Sequence, residues 1–231
     1  MVQYLPNFFT LLNLSSGSLG TILALKGNLT YAALCIWLGV SFDFFDGWLA
    51  RIFKTYSPLG RQLDSLADLI TFGVLPASLI YELISQHTTS PHLPYIALFI
   101  PNFSALRLAR FNIDTRQKSV FIGLPVPANG ILMSTFPLII AANKYTWLTA
   151  WLSHPYILVA LVVFTSYLLI ANIKLMAFKF DTYAWRPNRF KYAFLLASVL
   201  LILLLSTEGL ALSIILYVLV SIVSEPRQDH R

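Results

Sequence analysis

Four of the ten acidic residues, Asp43, Asp46, Asp64 and Asp68, sit among apolar runs of membrane-spanning character. A carboxylate at mid-bilayer costs about 2.5–3.5 kcal/mol on insertion scales, so intramembrane acids mark functional sites by default. At helical spacing Asp43 and Asp46 are i,i+3, with Gly47 one turn above Asp43; Asp64 and Asp68 are i,i+4, with Gly60 one turn before Asp64. Each helix therefore presents two carboxylates and a glycine on one face. Where those faces meet, four carboxylates converge, and mutual repulsion protonates some of them unless a divalent cation is bound. Oxygen ligands alone, with no His or Cys nearby, favour Mg²⁺, Mn²⁺ or Ca²⁺ over zinc. Buried ion pairs are the bland alternative: Arg51 can neutralise one acid and Arg61 another, which leaves two without a partner.

Metal ions held near a membrane interface suit a substrate with a diphosphate headgroup and lipid tails. Two cations bridge phosphate oxygens and stabilise a leaving phosphate. A free carboxylate beside them can take the proton of an incoming hydroxyl. The two glycines remove bulk where a nucleotide must approach the helix backbone.

The elements that position these groups are membrane helices. The chain has 231 residues, is 57% hydrophobic and 11% charged, with a mean hydropathy of +0.71. A soluble domain carries about twice that charged fraction. The expected fold is all-α, a polytopic membrane protein in a single domain spanning residues 1–231. The lone Cys35 lies in an apolar run and reads as a small core residue. No basic n-region or small-residue cleavage site marks a signal peptide at the N-terminus.

Eight helices are expected: about Pro6–Leu25, Leu29–Phe53, Leu59–Ile84, Leu93–Phe111, Ala128–Ala142, Pro155–Phe178, Phe190–Ser206 and Leu210–Ser224. Pro6 stands where its missing N–H is harmless, and Gly17 and Gly20 suit close helix contact. Ser57-Pro58 separates the two halves of the acidic stretch, and IGLPVPANG re-enters the fifth helix.

Loop charge orients these helices. Fourteen of the sixteen basic residues fall on one set of loops: Arg51, Lys54, Arg61; Arg107, Arg110, Arg116, Lys118; Lys174, Lys179, Arg186, Arg189, Lys191; Arg227, Arg231. Only Lys26 and Lys144 fall on the other. Both termini and the open end of the acidic stretch are therefore expected in the cytoplasm. The net charge of +6 is a topology signal that also attracts anionic headgroups. Its dispersal along juxtamembrane segments gives no nucleic-acid signature. A cation-coupled transporter would also keep intramembrane carboxylates, but clustering at one interface and the absence of broken-helix repeats argue against it.

The spacing Asp43-x2-Asp46-Gly47-x2-Ala50-Arg51-x8-Gly60-x3-Asp64-x3-Asp68 resembles, at every fixed position, the signature of the CDP-alcohol phosphatidyltransferases. That resemblance implies a CDP-diacylglycerol donor and two Mg²⁺ or Mn²⁺ ions. It implies Asp43, Asp46 and Asp64 as the main metal ligands. Asp68 would complete the second metal site and act as general base. Gly47, Ala50, Arg51, Ser57 and Gly60 would contact or make room for the CDP group. Asn7 and Thr10, in PNFFT, resemble the family's entry to its first helix, where polar groups approach the nucleotide; helix capping is the alternative for both. The family is usually dimeric, which implies a homodimer in the membrane.

Three further stretches, LDSLADLITFGVLPA, ALRLARFN and GLPVPANG, are similar to the integral-membrane phosphatidylserine synthases, which would make L-serine the acceptor. The similarity extends to about residue 130, and Asn129-Gly130 departs from the small residues expected after GLPVPA. Arg107 and Arg110 are i,i+3 and offer planar forks for a carboxylate or phosphate; the alternative is snorkelling to headgroups. Because arginines serve both anions, glycerol 3-phosphate or inositol phosphate stays open as acceptor.

Overall fold

The computed structural model describes residues 4–55, 57–113, 121–176 and 185–224. Among them the chain runs through α1 (Leu5–Leu25), α2 (Leu29–Ile52), α3 (Pro58–Leu69), a π-helical turn (Ile70–Val74) and α4 (Leu75–His87). A 3₁₀ turn (Leu93–Leu98) leads into α5 (Phe99–Ile113), followed by α6 (Val126–Ala142), α7 (Thr146–Leu152), α8 (Pro155–Ile170), α9 (Trp185–Leu205) and α10 (Thr207–Ser224). The fold is all-α apart from one antiparallel pair of two-residue strands, β1 (Phe121–Ile122) and β2 (Lys174–Leu175). Arg116, Lys118, Lys179, Arg227 and Arg231 lie outside the described residues.

Each of the expected eight helices is found in order, with the short α7 as an addition that the sequence did not predict. Four are long and apolar enough to cross a membrane by themselves, and α7 with α8, bent by 69°, makes a fifth when taken as one span. The bend was not anticipated from sequence; it falls at Ser153-His154-Pro155, where Pro155 starts the new helix. The expected sixth helix ends at Ile170, eight residues early. There Ala171 turns extended, and the Leu124 N–H bonds the Leu168 carbonyl at 2.9 Å. Gly123, at φ +77°, makes that approach possible, because a Cβ would collide with the Leu169 carbonyl.

α3, the π turn and α4 form one continuous helix, Pro58–His87, and it is the centre of the molecule. Two-thirds of its most apolar window is buried, against one-third for α1 and for α2. Leu75, Leu79, Ile80, Leu83 and Ile84 are almost wholly enclosed, as expected of a helix that is apolar all round. The π turn has a local cause. Pro76 cannot donate to the carbonyl four residues back and its ring crowds that turn; the Leu75 N–H instead bonds Ile70, five residues back. Inserting one residue in this way keeps the helix straight enough to continue.

α1 and α2 form a close antiparallel hairpin against this pole. Gly17, Gly20, Ala24, Ala32, Ala33 and Cys35 are all buried at the seam. Gly17 and Gly39 both lie against Thr71 in the π turn, where any Cβ would overlap it. The Ser16 hydroxyl donates to the Cys35 carbonyl at 2.8 Å, and Thr71 donates to the Asn13 carbonyl at 2.9 Å. Three helices are thus locked together one turn below the acidic residues.

Candidate active site

α2 carries Asp43 and Asp46 within its last three turns, and α3 carries Asp64 and Asp68 on its opposing face. α3 starts where it does because Ser57 caps it: its Oγ accepts the Gly60 N–H at 2.9 Å, with Pro58 at the first helical position. Asp43, Asp64 and Asp68 each place a carboxylate oxygen within 4.8 Å of the others. Asp43 and Asp64 are within hydrogen-bonding distance. Two carboxylates at that separation require a proton or a cation between them, so the donor set fits a hard divalent ion.

Asp46 stands beside this trio, buried, with its Oδ2 accepting the Thr10 hydroxyl at 2.7 Å. Asp68 is buried as well, and its Oδ1 accepts the Asn13 amide at 3.3 Å. The polar stripe of α1, Thr10, Asn13 and Ser16, therefore orients one aspartate on each of the other two helices. Thr10 does not cap α1, whose N-cap is Tyr4. Asn7 sits elsewhere than the cap too: its Oδ1 lies 3.2 Å from where a Cβ on Gly60 would be, with Ser57 Oγ at 3.0 Å. Gly60 thus leaves room that two polar side chains approach.

The surface above α2 is open. A Cβ on Gly47 would meet only the Arg51 guanidinium, at 3.6 Å. Arg51 folds back so that its Nε donates to the Gly47 carbonyl at 3.1 Å, along the half-buried Ala50 side of the helix end. The ion-pair explanation of the cluster, with Arg51 and Arg61 as partners, gains no support from this geometry, since both arginines are exposed.

Among the described residues, a cation that does face the cluster is Arg107 of α5. It is buried, interacts electrostatically with Asp68, and lies over the Phe111 ring at 5.5 Å. Arg110 is separated from it by the helix turn: exposed, its Nη1 reaches the Ile170 carbonyl of α8 at 3.5 Å. The two arginines, alike in type and three residues apart, therefore differ in what they can reach.

Sequence reasoning passed over Asn13, Ser104 and Thr71, which stand at or below the aspartates, and treated Asn129 only as a departure from pattern. The signal for Asn13 was available as the polar and small stripe Thr10, Asn13, Ser16/Gly17, Gly20 at i,i+3/i+4 spacing. Lys174 and Arg189, from the same set of basic loops, lie at the same end of the molecule as the aspartates.

Comparison with known proteins agrees with this arrangement. The sequence model of the CDP-alcohol phosphatidyltransferase family matches residues 3–164. The chain is similar to a CDP-diacylglycerol–serine O-phosphatidyltransferase of Bacillus subtilis (strain 168), 36% identical over 182 residues, which covers 77% of this chain and 93% of the relative. It is similar to an archaetidylserine synthase of Methanothermobacter thermautotrophicus, 38% identical over 140 residues and 57% of each chain. A CDP-diacylglycerol–serine O-phosphatidyltransferase of Helicobacter pylori (strain 26695) is 32% identical over 176 residues, covering 75% of this chain and 72% of the relative.

Proposed function

The chain belongs to the CDP-alcohol phosphatidyltransferase family, and from that premise we propose that it transfers the phosphatidyl group of CDP-diacylglycerol to the hydroxyl of L-serine, giving phosphatidylserine and CMP. The observation that carries the reading is the convergence of Asp43, Asp64 and Asp68 within 4.8 Å, at the end of the molecule where α2 and α3 meet. The serine-specific names of the relatives support the acceptor.

Asp43, Asp46, Asp64 and Asp68 would hold two Mg²⁺ or Mn²⁺ ions. Such ions would neutralise the diphosphate and stabilise the phosphate of departing CMP. The protein's own groups do the rest. Asp68 accepts the proton of the serine hydroxyl as its oxygen bonds to the phosphatidyl phosphorus. The bond from that phosphorus to the bridging diphosphate oxygen breaks, and CMP leaves with the electron pair. Asn13 keeps the Asp68 carboxylate turned to the site, and Thr10 does the same for Asp46. Gly47, Ala50, Arg51, Ser57 and Gly60 line the open surface that would receive the cytidine diphosphate, with Asn7 and Thr10 at its edge.

The enzyme works as a multi-pass protein of a bacterial or archaeal cytoplasmic membrane, in one domain, as a homodimer, with the aspartates facing the cytoplasm. An acceptor screen tests the function. Membranes holding the protein receive radiolabelled CDP-diacylglycerol, a divalent ion, and serine, glycerol 3-phosphate or inositol phosphate in turn. Serine-dependent CMP release with a labelled phosphatidylserine product is expected. Release with another alcohol and none with serine would overturn the acceptor.

A further inference from the structure

A cavity of about 730 Å³ lies among α6, α7, α8 and α10, and no residue of the aspartate site lines it. That volume falls in the roughly 300–1,000 Å³ range of ligand pockets. α10 packs on α9 and α6, and α8 packs mainly on α5, so α8 and α10 stand apart on either side of α6. Leu132, Phe136 and Ile139 of α6 and Ala211, Ile215 and Val218 of α10 face the gap at helical spacing, so each of these helices turns an apolar stripe to it. Phe164 of α8 and Leu212 of α10 line the gap and are also exposed, so the cavity opens sideways between those two helices, where bilayer chains lie.

One end of the cavity differs in chemistry. Glu208 is the one charged residue among the described residues that line it, and it is only 7% exposed. It stands in the first turn of α10, where the helix dipole favours a carboxylate. Yet among the described residues no donor or cation is found on that carboxylate, and acids held within membrane segments are ordinarily paired or functional. Gly209 fixes the start of α10 in this orientation by backing onto the end of α9, where a Cβ would overlap the Leu201 carbonyl. Tyr145, with Trp147 and Trp151 of α7, lines the same end of the cavity, and such aromatic rings sit at headgroup depth. Lys144 lies over the Tyr145 ring at 5.2 Å. The end away from the aspartates thus sets a carboxylate and an ammonium at the mouth of an apolar groove.

We propose that this groove binds a phospholipid with an amine headgroup from the leaflet opposite the aspartates, one acyl chain lying between α8 and α10 and the headgroup ammonium donating to Glu208. The lining calls for a chain. Water does not settle in so apolar a space, and an empty gap would forfeit packing along three helices. Charge complementarity selects the headgroup. A zwitterionic amine headgroup brings an ammonium to Glu208 and a phosphate to Lys144, whereas a glycerol headgroup brings the phosphate but leaves the carboxylate without a cation. The inference goes beyond the transfer reaction and does not depend on which alcohol is the acceptor.

Native mass spectrometry of the full chain in detergent tests it, with phosphatidylethanolamine and phosphatidylglycerol of identical acyl chains as probes. Ala211→Trp fills the groove from within and Leu212→Trp fills it at the exposed rim. The lipid that these variants fail to hold, at an unchanged thermal midpoint, is the groove's. Wild type is expected to hold phosphatidylethanolamine there about tenfold tighter than phosphatidylglycerol, the effect of one hydrogen bond between charged groups. Glu208→Gln is expected to keep the bound lipid and lose the preference. Equal affinities in the wild type, a preference that survives Glu208→Gln, or full lipid binding by both folded tryptophan variants overturns the proposal. So does loss of a dimer in place of a lipid in those variants, which makes the groove a contact between copies of the chain. The Glu208→Gln comparison decides by itself where a tryptophan variant does not fold, and no readout uses turnover, so failure of serine transfer leaves the result standing.

Discussion

The four aspartates are chemically alike and differently held. Asp43 and Asp64 are half-buried and in mutual contact, whereas Asp46 and Asp68 are buried and each takes a hydrogen bond from α1. The division of labour proposed above follows. Asp68→Asn keeps the shape and one ligand oxygen but loses the basic carboxylate, so serine-dependent CMP release is expected to drop roughly 10²–10⁴-fold with donor binding retained. Asp43→Asn is expected to weaken donor binding as well. Measuring both quantities for both variants in the same membranes checks the assignment, and near-normal turnover by Asp68→Asn places the base elsewhere. Chelation provides a second check on the cluster: excess chelator is expected to abolish CMP release, with Mg²⁺ or Mn²⁺ restoring it. Full turnover in chelator would remove the metal from the reading.

At the scale of elements, the site depends on how closely α1, α2 and the π turn approach. Gly17 and Gly39 let Thr71 sit between the two outer helices, and Asn13, one turn from Gly17 on α1, reaches Asp68 only because of that approach. Gly17→Val forces a side chain into the Thr71 backbone, and overpacking of this kind costs about 1–3 kcal/mol. A lowered thermal midpoint is expected together with lost transfer, since Asn13 is carried away from Asp68. A Gly17→Val protein that keeps its midpoint and its rate would show that the seam has slack. The π turn belongs to the same scale. It follows from Pro76, and it carries Thr71 and Phe72 to the contacts that align α1 and α6 with the aspartates.

For the molecule as a whole, the described helices place Arg51, Lys54, Arg61, Arg107, Arg110, Arg189 and Lys191 toward the aspartate end, and Lys26 and Lys144 at the opposite end. By the positive-inside rule this distribution supports the proposal that the aspartates face the cytoplasm. Cys35 is buried, so single cysteines placed elsewhere report topology cleanly. One at Lys54 is expected to be labelled from the cytoplasmic side alone, and one at Thr88 or Asn143 from the outside alone. The reverse pattern would refute the orientation and the supply of substrates from the cytoplasm.

The sequence by itself determined the membrane class, the order of the helices, the end at which the chemistry sits and the family. Hydropathy and charge act locally along the chain, and the aspartate motif lies within two adjacent helices whose spacing is readable residue by residue. Only the tertiary structure decided which of two arginines three residues apart faces the acids, because burial depends on what α5 packs against. It likewise decided that Asn13 orients Asp68. Those placements come from helices far apart in sequence, brought together where glycines permit close contact, and no period or motif in one segment encodes its neighbour across the bundle. The early end of α8 and the bend before it have the same origin. The Leu168 carbonyl in the last turn of α8 is bonded by Leu124, whose place there depends on Gly123 and not on any feature of α8 itself.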